Sequence, residues 1–281
     1  MVVRKKIFIK GVVQGVGFRP FVYKIASKNS LVGFVRNDSN GVFIEIEGKS
    51  EDIELFLKEI HTNLPPLAKI YTIDIEDIPV KNEENFKILN SNRSNKKTTL
   101  VSPDIATCKD CLKDMKNVAK YRDYFATNCT NCGPRYTIIK TLPYDRINTS
   151  MSKFQMCGSC QKEYSDPKNR RYHAQPISCN SCGPILDGDI KIFAEYIKKG
   201  EIVAIKGIGG FHIICDSTND KAIRKLRKYK NRPTKPFAIM CKNIEQIKSF
   251  AKVDKKEEET LLSKEAPIVI LKKKQILFYQ T

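Results

Sequence analysis

Ile7-Phe8-Ile9-Lys10-Gly11-Val12-Val13-Gln14-Gly15-Val16-Gly17-Phe18-Arg19-Pro20 is the stretch from which the fold of the first third of this 281-residue chain is read. Residues 7–11 have the make-up of a strand. The glycine-rich residues 11–20 form a loop, and a helix over residues 20–29 follows, because proline suits a first helical turn. Working outward, strands are expected at 32–37 and 42–47, separated by the hairpin signal Asp38-Ser39-Asn40-Gly41. An amphipathic helix over 51–62 places Ile53, Phe56, Leu57 and Ile60 on one face, and a last strand runs over 70–75. The order β-α-β-β-α-β is the ferredoxin-like pattern.

Chemistry concentrates at the first loop. Gly11, Gly15 and Gly17 let successive N–H groups turn inward, and the following helix adds its positive end, which makes an anion nest. Arg19 stands where loop becomes helix and offers a planar fork for two phosphate oxygens. Asn37 closes a strand and has an amide that can hold a water. The Gly-Lys-Ser/Thr ending of a Walker A loop is absent. The plain alternative is a surface salt bridge at Arg19 and a turn asparagine at Asn37.

Gly11-x-Val13-Gln14-Gly15-Val16-x-Phe18-Arg19, followed by Gly33-Phe34-Val35-Arg36-Asn37 and Gly41, resembles the two signatures of acylphosphatases. The resemblance implies that Gln14, Gly15, Val16, Gly17, Phe18 and Arg19 cradle the phosphate and that Asn37 positions the attacking water. Catalysis would be electrostatic, with no general base and no covalent nucleophile. The closing glycine of the second signature falls at Gly48, one residue early, which leads us to expect a small change of turn there.

Four Cys-x-x-Cys pairs occupy the middle of the chain: Cys108/Cys111, Cys129/Cys132, Cys157/Cys160 and Cys179/Cys182. Seventeen residues separate the first two pairs, 24 the halves, and eighteen the last two pairs. Such duplicated spacing suits two tetrahedral all-cysteine zinc sites. Whether each half closes its own site or the halves exchange pairs is not set by spacing. Cys129-Thr130-Asn131-Cys132-Gly133-Pro134 and Cys179-Asn180-Ser181-Cys182-Gly183-Pro184 repeat one knuckle. A disulfide framework is the alternative, but it needs an oxidising compartment. The start Met1-Val2-Val3-Arg4-Lys5-Lys6 lacks the apolar core of a signal peptide, and no apolar run approaches the ~18 residues of a membrane span. A cytoplasmic protein with reduced or metal-bound thiols is therefore expected. Cys215 and Cys241 stand alone in apolar surroundings, and His173 is superfluous as a ligand once eight cysteines fill two tetrahedra.

The net charge of +19 is uneven: +1 over residues 1–90, +8 over 91–187 and +10 over 188–281. This bias suits phosphate-rich ligands or nucleic acid, or no more than solvated lysines. Residues 90–99 are Asn-, Ser- and Lys-rich and read as linker. From residue 190 a helix (190–199) precedes a strand (202–205) and the turn Lys206-Gly207-Ile208-Gly209-Gly210-Phe211-His212. A further strand (213–215), a basic helix (219–229) and Lys230-Asn231-Arg232-Pro233-Thr234-Lys235 follow. A glycine turn with a Lys/Arg-dense loop suits a nucleotide or another phosphate ester.

Taken in order, an acylphosphatase-like part, two four-cysteine fingers and Lys206-Gly-Ile-Gly-Gly-Phe-His212 resemble the HypF family of carbamoyltransferases, which mature nickel–iron hydrogenases. The fold class expected is α+β multidomain. It comprises a ferredoxin-like domain over 1–90, a linker over 91–107, two zinc fingers over 108–186 and an incomplete α/β YrdC-like domain over 187–281. The resemblance implies hydrolysis of carbamoyl phosphate to carbamate at Arg19 and Asn37. Carbamate then passes to an ATP- and magnesium-dependent, carbamoyl-adenylate-forming domain, and the carbamoyl group goes to a cysteine of a hydrogenase maturation partner. It also implies Lys206, Lys230, Arg232 and Lys235 as nucleotide contacts, and a double-stranded RNA surface on the YrdC-like part. The family carries more sequence after the position of Thr281, so the chain reads as an N-terminal fragment or truncated product that hydrolyses acyl phosphates without transferring carbamoyl groups. Two alternatives are a plain acylphosphatase with accessory domains and a nucleic-acid-binding zinc-finger protein. The second lacks two-Cys two-His finger spacing and aromatic stacking motifs. Chelation is expected to unfold 108–182 and leave the phosphatase active.

Overall fold

The alternation at Ile7-Phe8-Ile9 becomes the centre of a long strand. In the computed structural model, which describes residues 1–91 and 100–274, β1 spans Val2–Val12 and buries Ile7 and Ile9 completely. The expected linker thus lies, for residues 92–99, outside the described residues. β1 pairs antiparallel with β3 (Gly41–Lys49) on one side and β4 (Lys69–Ile78) on the other. With β2 (Val32–Asp38) beyond β3, the order β4-β1-β3-β2 is ferredoxin-like. Helices α1 (Phe18–Lys28) and α2 (Ser50–Thr62) pack Val22, Ile25, Ile53, Phe56 and Ile60 onto Ile7, Ile44 and Ile46 in one core. A short strand β5 (Phe86–Ile88) adds to the sheet parallel to β2. Three residues after a polar run carry no periodicity that a sequence reading can use.

Gly48 corrects one expectation. It sits inside β3 opposite Val3, so the early glycine marks no change of turn. A Cβ there would fall 2.5 Å from Leu31 Cδ2, so the Leu31 methyl fills the space that this glycine leaves.

The cysteine-rich part belongs to the same compact unit, Met1–Ile185. It holds two short helices, α3 (Lys109–Asn117) and α4 (Gly158–Ser165), each starting on the residue after the first cysteine of a pair. Tyr121 and Tyr124 from the first half pack with Cys160, Cys179 and Ile177 of the second.

The second unit, Leu186–Thr281, contains α5 (Ile190–Lys198) and an antiparallel hairpin of β6 (Val203–Lys206) with β7 (Phe211–Ile214). Then come α6 (Asp220–Tyr229), α7 (Ile244–Phe250), β8 (Ala251–Lys252), α8 (Lys255–Leu261) and β9 (Lys272–Lys273), with β8 and β9 paired. β7 begins earlier than the sequence implies, because the Gly207 N–H donates to the Gly210 carbonyl at 2.8 Å and those four residues alone make the turn. No helix among the described residues is long and apolar enough to cross a membrane.

Candidate active site and metal centres

The loop before α1 is shaped by two left-handed residues, Gly15 (φ 72°) and Gly17 (φ 76°). Gly17 caps α1 without any side-chain bond, so the first-turn N–H groups of the helix are available to a ligand. Val16 and Phe18 turn their side chains into the core, and Gly15, Gly17 and Phe18 border the adjoining cavity. That cavity is bordered by Gly15, Gly17, Arg19 and Asn37, so the structure brings the expected loop, cation and amide together. Arg19 is 7% exposed and Asn37 1%. Gln14 plays a part the sequence did not reveal. Its Nε2 donates to the carbonyls of Asp38 (2.6 Å) and Gly41 (2.9 Å), clamping the hairpin that carries Asn37.

The opposite wall of the cavity comes from the cysteine-rich part. Asn128, Thr130, Gly133, Tyr144, His173 and Gln175 all border it. The Tyr144 N–H donates to Gln14 Oε1 at 3.0 Å, and the Tyr144 carbonyl accepts from both Arg19 Nη2 and Asn37 Nδ2 at 3.4 Å. Arg19 Nη2 also donates to Asp145 Oδ1 at 2.7 Å. Because a carbonyl only accepts, the Asn37 amide must present its NH2 to Tyr144. Asn37 Oδ1 is then aimed away, buried and without a hydrogen-bond partner among the described residues, a free acceptor for a water proton. The loop, Arg19 and Asn37 are thus hydrogen-bonded to residues 144 and 145 of the cysteine-rich part.

His173 belongs to neither thiol cluster. It lies between the rings of Tyr164 (4.9 Å) and Tyr172 (4.6 Å) on the cavity wall. Burial, with Arg19 adding to it, lowers its pKa to about 4, so it is neutral at neutral pH. Gly15 is doubly constrained. Its φ is left-handed, and a Cβ would meet Pro134 and Tyr144 at 3.1 Å. Gly15→Ala is therefore expected to cost about 1–2 kcal/mol in backbone strain, read as a lowered Tm, and to weaken phosphate binding.

Each half of the cysteine region closes its own cluster: Cys108, Cys111, Cys129 and Cys132 in one, Cys157, Cys160, Cys179 and Cys182 in the other. This settles the pairing that spacing left open. The first cluster has Sγ–Sγ distances of 3.6 Å (Cys108–Cys129) and 3.9 Å (Cys129–Cys132). In the second they are 3.8, 3.8 and 3.7 Å. A tetrahedron with zinc–sulfur bonds of about 2.3 Å has edges of about 3.8 Å, whereas a disulfide needs about 2.05 Å. The donor sets fit zinc, which in such closed sites is structural. Neighbouring cations temper the charge: Arg170 Nη1 lies 3.0 Å from Cys111 Sγ and Lys120 Nζ 3.9 Å from Cys160 Sγ. Arg170 comes from the second half, so the halves interlock although their ligands do not mix. Cys215 and Cys241 are half-buried outside both clusters.

In the second unit, Lys206 ends β6 with its Nζ 5.7 Å from the Phe211 ring. Arg232 folds its guanidinium onto its own loop, donating to the carbonyls of Lys235 (3.3 Å) and Pro236 (2.6 Å) over the Phe237 ring. Lys230 caps α6, and no hydrogen bond or ion pair among the described residues links Lys206 to Lys230, Arg232 or Lys235. Of the four expected nucleotide contacts, Arg232 and Lys235 are joined on one loop.

Residues 5–88 match the family model described as Acylphosphatase, residues 107–139 and 156–187 the HypF finger, and residues 195–280 the model described as "Telomere recombination", named for the Sua5, YciO and YrdC proteins. Over 95% of its length the chain is 42% identical to the carbamoyltransferase HypF of Rhodobacter capsulatus. The chain belongs to the HypF carbamoyltransferase family. A crystal structure of full-length HypF in its phosphate- and nucleotide-bound form superposes with a TM-score of 0.93 at 46% identity, covering 98% of this chain and 38% of that one. The chain spans 37% of the R. capsulatus HypF. The acylphosphatase of Ligilactobacillus salivarius is 42% identical over 84 residues, which are 30% of this chain and 93% of that enzyme.

Proposed function

We propose that this HypF-family chain hydrolyses carbamoyl phosphate, with Arg19 and the N–H groups of the Gln14–Gly15–Val16–Gly17–Phe18 loop holding the phosphoryl group and Asn37 Oδ1 orienting the water. The observation that carries this reading is the buried Arg19–Asn37 pair on one cavity, with Asn37 Oδ1 left free by the Tyr144 carbonyl. Fixed donors around the transferring group and an in-line water are what phosphoryl transfer requires of a protein. The two thiol clusters hold structural zinc ions that fix residues 143–146 against this site. The name of the R. capsulatus relative supports a place in carbamoyl transfer, in which carbamate is activated with ATP and magnesium and delivered to a maturation partner's cysteine in the cytoplasm. The full-length HypF crystal structure is a nucleotide-bound form, which supports a nucleotide site in the second unit. Domain limits of 1–90, 108–186 and 187–281 go with this reading. Double-stranded RNA has no supporting feature and is left out of it.

The test is phosphate release from carbamoyl phosphate by the chain as it stands. Asn37→Ala is expected to lower kcat by roughly 10²-fold with little change in KM, because the amide acts on the water rather than the substrate. An unchanged kcat would remove Asn37 from the mechanism.

A further inference from the structure

The arginine expected to grip phosphate already holds an anion. Asp145 Oδ1 sits 2.7 Å from Arg19 Nη2, and the two side chains are 22% and 8% exposed. The neighbouring carbonyl of Tyr144 takes the same nitrogen, so residues 144 and 145 together occupy the face of Arg19 that an acyl phosphate needs. Among the described residues, Arg19 Nη1 has only a long contact to Ser91 Oγ, 3.5 Å. Arg19, His173 and Gln175 border, with Asp145, a second cavity of about 400 Å³ whose lining includes neither Asn37 nor the glycine loop. Arg19 thus borders both cavities, and Asp145 meets it from the second.

The backbone that presents Asp145 is pinned by the next residue. Arg146 donates to the carbonyls of Gln175 (2.8 Å), Ile177 (2.8 Å) and Phe154 (2.7 Å), and its N–H donates to Gln175 Oε1 (2.7 Å). Tyr144 is held on the other side by Gln14. Between these anchors Asp145 lines the second cavity, which gives its side chain room on release from Arg19.

We propose that Asp145 is a specificity residue of the acyl-phosphate site: it is the resident counter-ion of Arg19, which only a ligand of higher charge, a dianionic phosphoryl group, displaces. The proposal rests on the acyl-phosphate reading above. A monoanion offers Arg19 no more charge than the tethered carboxylate, whose effective concentration beside it is high. A phosphoryl dianion offers more charge and also collects the loop and helix N–H groups that Asp145 does not reach. When the phosphoryl group leaves, Asp145 returns to Arg19. Competition of this kind weakens apparent affinity by the fraction of sites in which Arg19 is free.

The experiment uses the native zinc-loaded chain and its Asp145→Asn variant, which keeps the shape and removes the charge. KM for acetyl phosphate and the inhibition constant of inorganic phosphate are expected to fall on the order of tenfold, the scale of one charge-assisted hydrogen bond. Chloride, inert towards the native chain, is expected to become a competitive inhibitor of the variant. Asp145→Glu, which restores the charge, is expected to restore chloride insensitivity. Zinc content and far-UV circular dichroism establish that the variants are folded. A folded Asp145→Asn chain with unchanged or raised KM and no chloride inhibition overturns the proposal, since Asp145 would then only steady Arg19. Arg19→Ala separates the two readings. If it hydrolyses acetyl phosphate as fast as the native chain, the acyl-phosphate reading itself fails. If it is inactive while Asp145→Asn shows no fall in KM, only the role of Asp145 fails.

Discussion

Arg19→Ala is expected to reduce kcat/KM for carbamoyl phosphate by on the order of 10³-fold, with the fold intact. The guanidinium is buried on the wall of the cavity, where a charge interacts far more strongly than in water. Nothing else among the described residues bordering that cavity carries a full positive charge, so no neighbour replaces it. Substrate binding and transition-state stabilisation both draw on it, so KM should rise and kcat fall together. Arg19→Lys should recover only part of the loss, because an ammonium is a point charge without the fork that spans two phosphate oxygens. The fold itself stands on Ile7, Ile44, Ile46, Phe56 and their neighbours, which the substitution does not touch. Steady-state phosphate release, with a melting curve as control, checks this. A folded Arg19→Ala chain keeping a tenth or more of native activity would rule out the assigned role.

Much of this was legible because the sequence signals are local. A strand, three closely spaced glycines and an Arg-Pro at a helix start are contiguous, and their geometry follows from backbone freedom and helix-end electrostatics. The four Cys-x-x-Cys pairs likewise announce their clusters, since each knuckle is one turn. What the sequence hid lies across long separations. Tyr144 and Asp145 reach Arg19 from 125 and 126 residues away, with one acidic side chain in a basic region and one backbone carbonyl. No periodicity marks either. Gln14 looked like part of a phosphate cradle, yet its side chain is spent on the Asp38–Gly41 hairpin and on Tyr144. In the second unit, Lys and Arg density did not show that Arg232 donates to the carbonyls of Lys235 and Pro236 in its own loop. Charge counts do not say where a flexible side chain ends.

Removing zinc is expected to do two separable things. Within each cluster four thiols lie in mutual contact, and without a divalent cation they cannot all ionise. Neighbouring sulfurs, then burial, push Cys111 up; burial, then neighbouring sulfurs, push Cys160 up; hydrogen bonds from Cys108 and Cys111 lower Cys132 to about 6. Closed four-thiolate sites supply roughly 10–16 kcal/mol of folding free energy at neutral pH. Beside the cysteines, the buried apolar set of residues 108–182 is Tyr121, Tyr124, Tyr144, Met151, Tyr172, Ala174 and Ile177, too small to hold this part without metal, so it should unfold on chelation. The sheet and helices of residues 5–88 keep their own core, and the L. salivarius acylphosphatase shows that a chain of that extent suffices for such a protein. Hydrolysis should therefore persist in altered form. Asn37 loses the Tyr144 carbonyl that fixes its amide, which should lower kcat about tenfold as the water is less firmly placed. Arg19 loses Asp145 at the same moment, so KM should fall rather than rise. Hydrogen exchange would follow the unfolding of 108–182 while phosphate release gives both constants, and added zinc should restore them. If those residues unfold and neither constant moves, the fingers are a scaffold apart from the chemistry. A lowered kcat with a lowered KM would place residues 143–146 inside the active site.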